Sequence, residues 1–235
     1  MSAQALPSLR AGLLGVFAKL PEPGRVKTRL VPALGERAAA ELAWAFLHDT
    51  LETVKGCRRA EAVLLISPDA APLPLLTALG NAPPRLLDQG SGDLGVRLER
   101  FFARALTQHP WAIALGTDSP GMPPSKLDEA IDALETCRAE AVFGPALDGG
   151  YYLLGVKKLA PQMLAGVRWS TSTALVDSER ALARAGVSSC RISAWFDVDE
   201  PADLVRLTEL LERRAVTAPH TAHVLETLKH KDTPA

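Results

Sequence analysis

A run from about Gly12 to Lys19 is apolar on both alternations and leads directly into a loop carrying Lys19, Pro21, Pro23, Gly24, Arg25, Lys27 and Arg29. A strand with two apolar faces must be covered on both, which places it centrally in a parallel sheet flanked by helices. In open sheets of that kind, ligands sit outside the carboxyl ends of the strands. The loop after this strand therefore lies where a ligand is expected, and its four basic side chains suit a di- or triphosphate. The competing reading of the same residues is a solvated basic loop.

The chain continues as alternating strands and helices. Leu42, Phe46, Leu47, Leu51 and Val54 mark a helix over Glu36 to Lys55, with Gly56 placed to take the left-handed position after it. Val63 to Ser67 reads as a second strand, a short helix is expected around 73–79, and Arg85 to Asp88 reads as a third strand. Gly90 to Asp93 supplies a turn and an N-cap ahead of the stripe Leu94, Leu98, Phe101, Phe102 and Ala105. Trp111 to Gly116 is again wholly apolar; a helix follows over Ser125 to Cys137, then a strand over Ala141 to Gly144. The turn Asp148-Gly149-Gly150 leaves no room for a crossover, so Tyr151 to Val156 is expected to be antiparallel or to lie at an edge. Leu175, Val176, Glu179 and Leu182 mark a helix closed by Gly186, Arg191 and Ile192 a late strand, and Pro201 starts a helix with Leu204, Leu207, Leu210 and Leu211 on one face. The expectation is one α/β domain over residues 1–214 with a mixed, mostly parallel sheet. A polar tail over 215–235 follows, with a short helix as one reading of Val224 to Leu228.

Asp118 directly follows the Trp111 to Gly116 strand, on the same sheet edge as the basic loop. A carboxylate facing bound phosphates is repelled unless a divalent cation lies between, so Asp118 opposite Lys19, Lys27 and Arg29 suggests Mg²⁺ or Mn²⁺. Alternatively, Asp118 only starts the turn before Pro120. Asp197 and Asp199 end a late strand, with capping of the helix begun by Pro201 as their competing role. The backbone of Gly149 and Gly150 can approach a ligand closely, with Tyr151 or Tyr152 beside it and Asp148 as a candidate contact for an acceptor; the same turn can merely join two strands. Trp169 is either buried or a platform for a base or sugar. No histidine is assigned to catalysis or metal binding. The glycine that a Walker loop needs before its lysine is absent at Lys27, and no G-x-G-x-x-G occurs, so P-loop and dinucleotide readings fall away.

With 26 basic against 27 acidic residues, the chain has no overall field for nucleic acid or an anionic membrane, and any affinity for anions must be local. Cys57, Cys137 and Cys190 are far apart and form no C-x-x-C pair, which argues against a zinc site or disulfide framework. Leu13 to Val16 is too short to span a membrane and Met1 to Arg10 lacks the order of a signal peptide, so the expected location is the cytoplasm.

Five motifs in order carry a family resemblance: Phe17-Ala18-Lys19 with Pro21, Pro23-Gly24 and Val26-Lys27-Thr28-Arg29-Leu30; Gly116-Thr117-Asp118-Ser119-Pro120; Asp148-Gly149-Gly150-Tyr151-Tyr152; Trp169-Ser170-Thr171; and Asp197-Val198-Asp199-Glu200-Pro201-Ala202-Asp203-Leu204. Together they resemble the bacterial glycosyltransferase-like proteins of the nucleotide-diphospho-sugar transferase superfamily, including radical-SAM-associated and arsenosugar-biosynthesis transferases. More distantly, the chain is similar to phospholactate and molybdenum-cofactor guanylyltransferases. The resemblance implies a GT-A-type Rossmann-like α/β/α sandwich with a nucleotide held after the first strand. It matches Lys19, Gly24, Lys27, Thr28 and Arg29 to phosphate contacts and Asp118 and Asp199 to a metal pair. Gly149, Gly150, Tyr151 and Trp169 fall where the acceptor or donor would be touched, and Asp118, Lys27 and Asp148 are the candidate catalytic residues. The chain lacks the glycine-dense G-G-x-G-x-R loop of sugar-nucleotide pyrophosphorylases. The leading expectation is metal-dependent glycosyl transfer from a nucleoside-diphosphate sugar to a small acceptor. The alternatives are nucleotidylyl transfer with release of pyrophosphate and a nucleotide-binding partner protein without turnover.

Overall fold

The structure is a computed structural model that describes residues 11–67, 79, 84–136 and 139–231. Strands β1 (Gly12–Ala18), β2 (Ala60–Ile66), β3 (Arg85–Asp88), β4 (Ala112–Leu115), β5 (Ala141–Pro145), β6 (Tyr151–Val156) and β7 (Ser189–Arg191) form one sheet in the order β3-β2-β1-β4-β6-β5-β7. As the apolar pattern requires, β1 is interior, with β2 and β4 as parallel partners. β6 runs antiparallel to both β4 and β5. The tight turn after β5 fixes that direction, but β6 is not at an edge: it fills the space between β5 and β4 and so leaves those two strands parallel to each other. The carboxyl ends of the other six strands therefore share one sheet edge with the start of β6.

Helices α1 (Val31–Leu34), α2 (Glu36–Gly56), α3 (Leu94–Ala105), α4 (Ser125–Thr136), α5 (Ala174–Arg184), α6 (Pro201–Glu212) and α7 (Pro219–Lys231) surround the sheet. Alternate strand residues feed two cores, as the period of two dictates. Leu13, Leu65, Phe143 and Leu154 meet Phe101 and Phe102 of α3 and Leu182 of α5 on one face. Leu14, Leu64, Ile113 and Leu153 meet Leu47 and Leu51 of α2 and Leu127 and Ile131 of α4 on the other. A third cluster lies on the outer side of α2, where Phe46 packs with Leu30, Phe196, Val198, Leu207 and Leu225. Leu30 ends the basic loop and Val198 lies between Asp197 and Asp199, so this cluster is the floor of the site described below.

Two expectations are corrected. Helix α2 runs through Gly56 and ends at Cys57 in an extended conformation, and a turn at Arg58 and Arg59 with no left-handed residue leads into β2. The tail helix is longer than the short one read at 224–228: α7 spans Pro219–Lys231 and packs against α2. Its anchor is Asp49, a buried α2 residue whose carboxylate accepts from the backbone N–H of His220 (3.0 Å) and Thr221 (2.9 Å) and from the Thr221 hydroxyl (2.5 Å). An N-cap supplied from 171 residues away leaves no local sequence signal. Of the short helix expected around 73–79, only Leu79 lies within the described residues. No helix among the described residues is long and apolar enough to cross a membrane.

Asp49→Ala strips the α7 start of three hydrogen bonds to a charged acceptor and is expected to cost about 2–3 kcal/mol in urea unfolding, with Asp49→Asn recovering part of the loss. Equal stability of Asp49→Ala and the parent chain would contradict this anchoring.

Candidate active site

Lys27, Asp118 and Asp199 lie beyond the ends of β1, β4 and β7, and the shared sheet edge brings them to one point. The Lys27 ammonium contacts Oδ1 of Asp118, lies 3.0 Å from Oδ1 of Asp199 and donates to the Val198 carbonyl at 2.8 Å. Beneath it is the Phe46 ring, 5.3 Å from Nζ to centroid. Burial alone would lower the lysine pKa, but the two carboxylates outweigh it and hold the group above its usual value. Lys27 itself has φ of 46°, the left-handed region that non-glycine residues avoid, so the loop spends conformational strain to aim this side chain.

The competing roles considered for the acidic residues are filled by others. At the start of α6 it is the Asp203 carboxylate that accepts from the backbone N–H of Glu200 (2.9 Å) and Asp199 (3.1 Å), which leaves the Asp199 side chain for Lys27. Asp118 gives its carboxylate to Lys27, while its backbone carbonyl accepts from Val198 N–H at 2.8 Å and ties the two acidic segments together. Behind them, Asp197 accepts from the Ser119 hydroxyl. Burial pushes its carboxyl up to about 6; the Ser119 hydrogen bond opposes this, and the negative charges of Asp118, Asp148 and Asp199 add to it. Asp197 and Ser119 complete the back of the site. Asp197 stood out in the sequence with Asp199 as an acidic pair ending a late strand, whereas the only signal for Ser119 was adjacency to Asp118.

The remaining candidates divide. Lys19, Gly24, Thr28 and Arg29 are exposed on the loop after β1, with Arg29 3.6 Å from Glu200. The Gln89 side-chain amide, after β3, donates to the carbonyls of Ala18 (3.1 Å) and Leu65 (3.0 Å), pinning the strand ends where that loop begins. Asp148 is exposed and accepts from Gly150 N–H at 2.8 Å. Tyr151 does not face the open edge: its hydroxyl lies 3.3 Å from that of Ser178 and its ring packs edge-on to Phe143, because the first residue of β6 points into the core. The Tyr152 hydroxyl donates to the Ser193 carbonyl. Trp169 is half-buried, edge-on to Tyr151, in a loop that Arg168 fastens through a paired contact with Asp177 (2.7 and 3.0 Å). A separate group, Asp49, Glu52 and His220, brings its ligand atoms within 4.8 Å of one another, but both Asp49 oxygens serve the start of α7.

Gly149 locks the 145–150 turn to the Trp169 loop. Its φ is 91°, its carbonyl accepts from Leu175 N–H, and a Cβ there would stand 2.0 Å from the Ser172 carbonyl oxygen. Gly149→Ala therefore forces two backbones apart, and a thermal melt should show a loss of about 2 kcal/mol or more. An unchanged melt would mean the two loops are not in contact.

The surroundings also fit a divalent ion. Two carboxylate oxygens already converge on one cation, and both side chains are about half exposed toward solvent, 52% for Asp118 and 41% for Asp199.

Comparison with known proteins agrees with this architecture. A crystal structure of a provisionally assigned nucleotide-diphospho-sugar transferase from Desulfovibrio desulfuricans G20 matches with a TM-score of 0.82 and 28% identity, over 95% of this chain and 99% of that one. A phosphoenolpyruvate guanylyltransferase from Rhodococcus erythropolis is 28% identical, with 66% of this chain and 85% of that protein covered. The inositol-1-phosphate CTP transferase of T. maritima, at 14% identity and a TM-score of 0.57 over 86% of this chain and 96% of that one, shares the fold alone. The sheet and its helices are thus those of nucleotide-dependent transferases. Residues 50–171 match the family described as uncharacterized protein conserved in bacteria (DUF2064), and the chain belongs to that family.

Proposed function

We propose that the protein is a metal-dependent transferase acting on a nucleotide-activated donor, and that the group it moves is a nucleotidylyl group. The observation that carries the reading is the convergence of Lys27, Asp118 and Asp199 at the carboxyl edge of the sheet, beside the exposed basic loop. Asp118 and Asp199 would hold Mg²⁺ or Mn²⁺, which supplies neutralising charge to the phosphates of the donor. Lys19, Thr28 and Arg29, with the backbone at Gly24, receive the phosphate chain, and Lys27 adds positive charge beside the leaving group. A phosphate oxygen of the acceptor bonds to the α-phosphorus of a nucleoside triphosphate. The bond from the α-phosphorus to the bridging oxygen breaks, and pyrophosphate leaves with the electron pair. Asp148, Gly149, Gly150 and Trp169 border the region open to the acceptor; Asp148 is its proposed contact.

The relative named as a phosphoenolpyruvate guanylyltransferase favours nucleotidylyl transfer over the glycosyl transfer expected from the motifs. Glycosyl transfer is the second reading, favoured by the assignment of the Desulfovibrio protein. Product analysis separates them. The protein is incubated with Mg²⁺, each nucleoside triphosphate or nucleoside-diphosphate sugar, and small phosphorylated acids such as phosphoenolpyruvate. Pyrophosphate released from one triphosphate, only when a phosphorylated acid is present, is the expected result. Nucleoside diphosphate released from a sugar nucleotide would replace this reading with glycosyl transfer, and nucleotide binding without either product would leave a non-catalytic binding protein.

A further inference from the structure

Lys27 sits where the proposed function puts a metal. Its ammonium takes Oδ1 of Asp118 and Oδ1 of Asp199, and the Val198 carbonyl accepts a third hydrogen bond. All three N–H groups of an ammonium can thus be used without any ligand. The Lys27 side chain is 5% exposed and comes up from the Phe46 side, whereas both carboxylates open to solvent. With two negative charges and one positive, the trio carries a net charge of −1, half of what the bare pair would offer a divalent ion.

We propose that Lys27 is the resident counter-cation of the Asp118–Asp199 pair and competes with a divalent ion for the same two oxygens. The nucleotide-free protein then takes up metal weakly, and metal enters together with the nucleotide, whose phosphates give the displaced ammonium a new anionic partner. The left-handed backbone of Lys27 belongs to the same device, since that strained turn is what aims the ammonium at the two carboxylates. Order of binding follows: the metal–nucleotide complex is the species captured, and free metal does not fill the site ahead of it. This rests on the metal role proposed above for Asp118 and Asp199.

The test reads Mn²⁺ alone, without nucleotide, by the loss of the free-ion signal in electron paramagnetic resonance. Lys27→Met keeps the length of the side chain and removes its charge, and Lys27→Gln serves as a second neutral variant; circular dichroism and melting confirm that each is folded. Both should bind Mn²⁺ about tenfold or more tightly than the parent chain, since removing a positive charge in contact with the ligands strengthens them. Adding Asp118→Asn to Lys27→Met should abolish the gain. Folded neutral variants that bind Mn²⁺ no better than the parent, while Asp118→Asn still weakens it, would overturn the competition and leave the metal pair standing. Absence of Mn²⁺ binding in the parent and every variant, together with nucleotide binding by equilibrium dialysis that is equal in Mn²⁺ and in EDTA, would remove the metal pair and this proposal with it.

Discussion

Asp118→Asn is expected to lower turnover by about two to three orders of magnitude while the protein stays folded. The substitution keeps the shape of the side chain and removes one of two charges that would hold the metal, and metal stabilisation of developing phosphate charge is worth several kcal/mol, at about 1.4 kcal/mol per decade of rate. The cost in stability is small by comparison. Asp118 is about half exposed, and Lys27 retains Asp199 and the Val198 carbonyl, so the loss should be about 1 kcal/mol. Pyrophosphate release measured beside a thermal melt checks both halves. A variant with parental turnover would contradict the role of Asp118, and one that fails to fold would mean the ion pair is structural.

The second large effect is in the core. Phe46 is fully buried, packs against Leu30, Phe196 and Val198, and carries the Lys27 ammonium above its ring. Phe46→Ala should cost about 3–5 kcal/mol, a large share of the 5–15 kcal/mol that holds a domain together. Urea unfolding analysed by linear extrapolation measures it. Phe46→Leu keeps most of the volume, so it should cost clearly less while still slowing turnover, because the ring beneath Lys27 is gone. If Phe46→Ala unfolds at the parental urea concentration, the third cluster is not the floor of the site.

Much of this was readable from the chain. The two-sided apolar runs of β1 and β4 called for interior strands of a covered sheet, and the stripe from Leu94 to Ala105 matches α3. Antiparallel β6 followed from the short turn before it, but its place between β4 and β5 did not, because strand order depends on pairings between segments far apart in sequence. α7 was legible only in part: Val224 and Leu228, which pack with Leu225 in the third cluster, marked a short helix inside it, but its start was hidden because its cap comes from Asp49, far away in sequence. At the site, Lys27, Asp118 and Asp199 stand out as charged residues following strands. What the chain could not reveal is that they touch one another: the left-handed turn at Lys27 and the capture of the α6 start by Asp203 are both three-dimensional outcomes. Tyr151 was misplaced toward the ligand because a residue opening a strand after a glycine turn has two faces available, and core packing against Phe143 chose the inner one.

If Lys27, Asp118 and Asp199 form one metal-dependent nucleotide site, nucleotide stabilises the folded protein only where the metal can bind. The decisive measurement is the melting temperature of the parent chain and of Asp118→Asn with each nucleoside triphosphate, in Mg²⁺ and in EDTA. A ligand that binds only the folded state at about a hundred times its Kd adds ~2.7 kcal/mol of stability. A rise is expected for at least one nucleotide, requiring Mg²⁺ and lost in Asp118→Asn. A rise of equal size in EDTA, or one that survives Asp118→Asn unchanged, would contradict it.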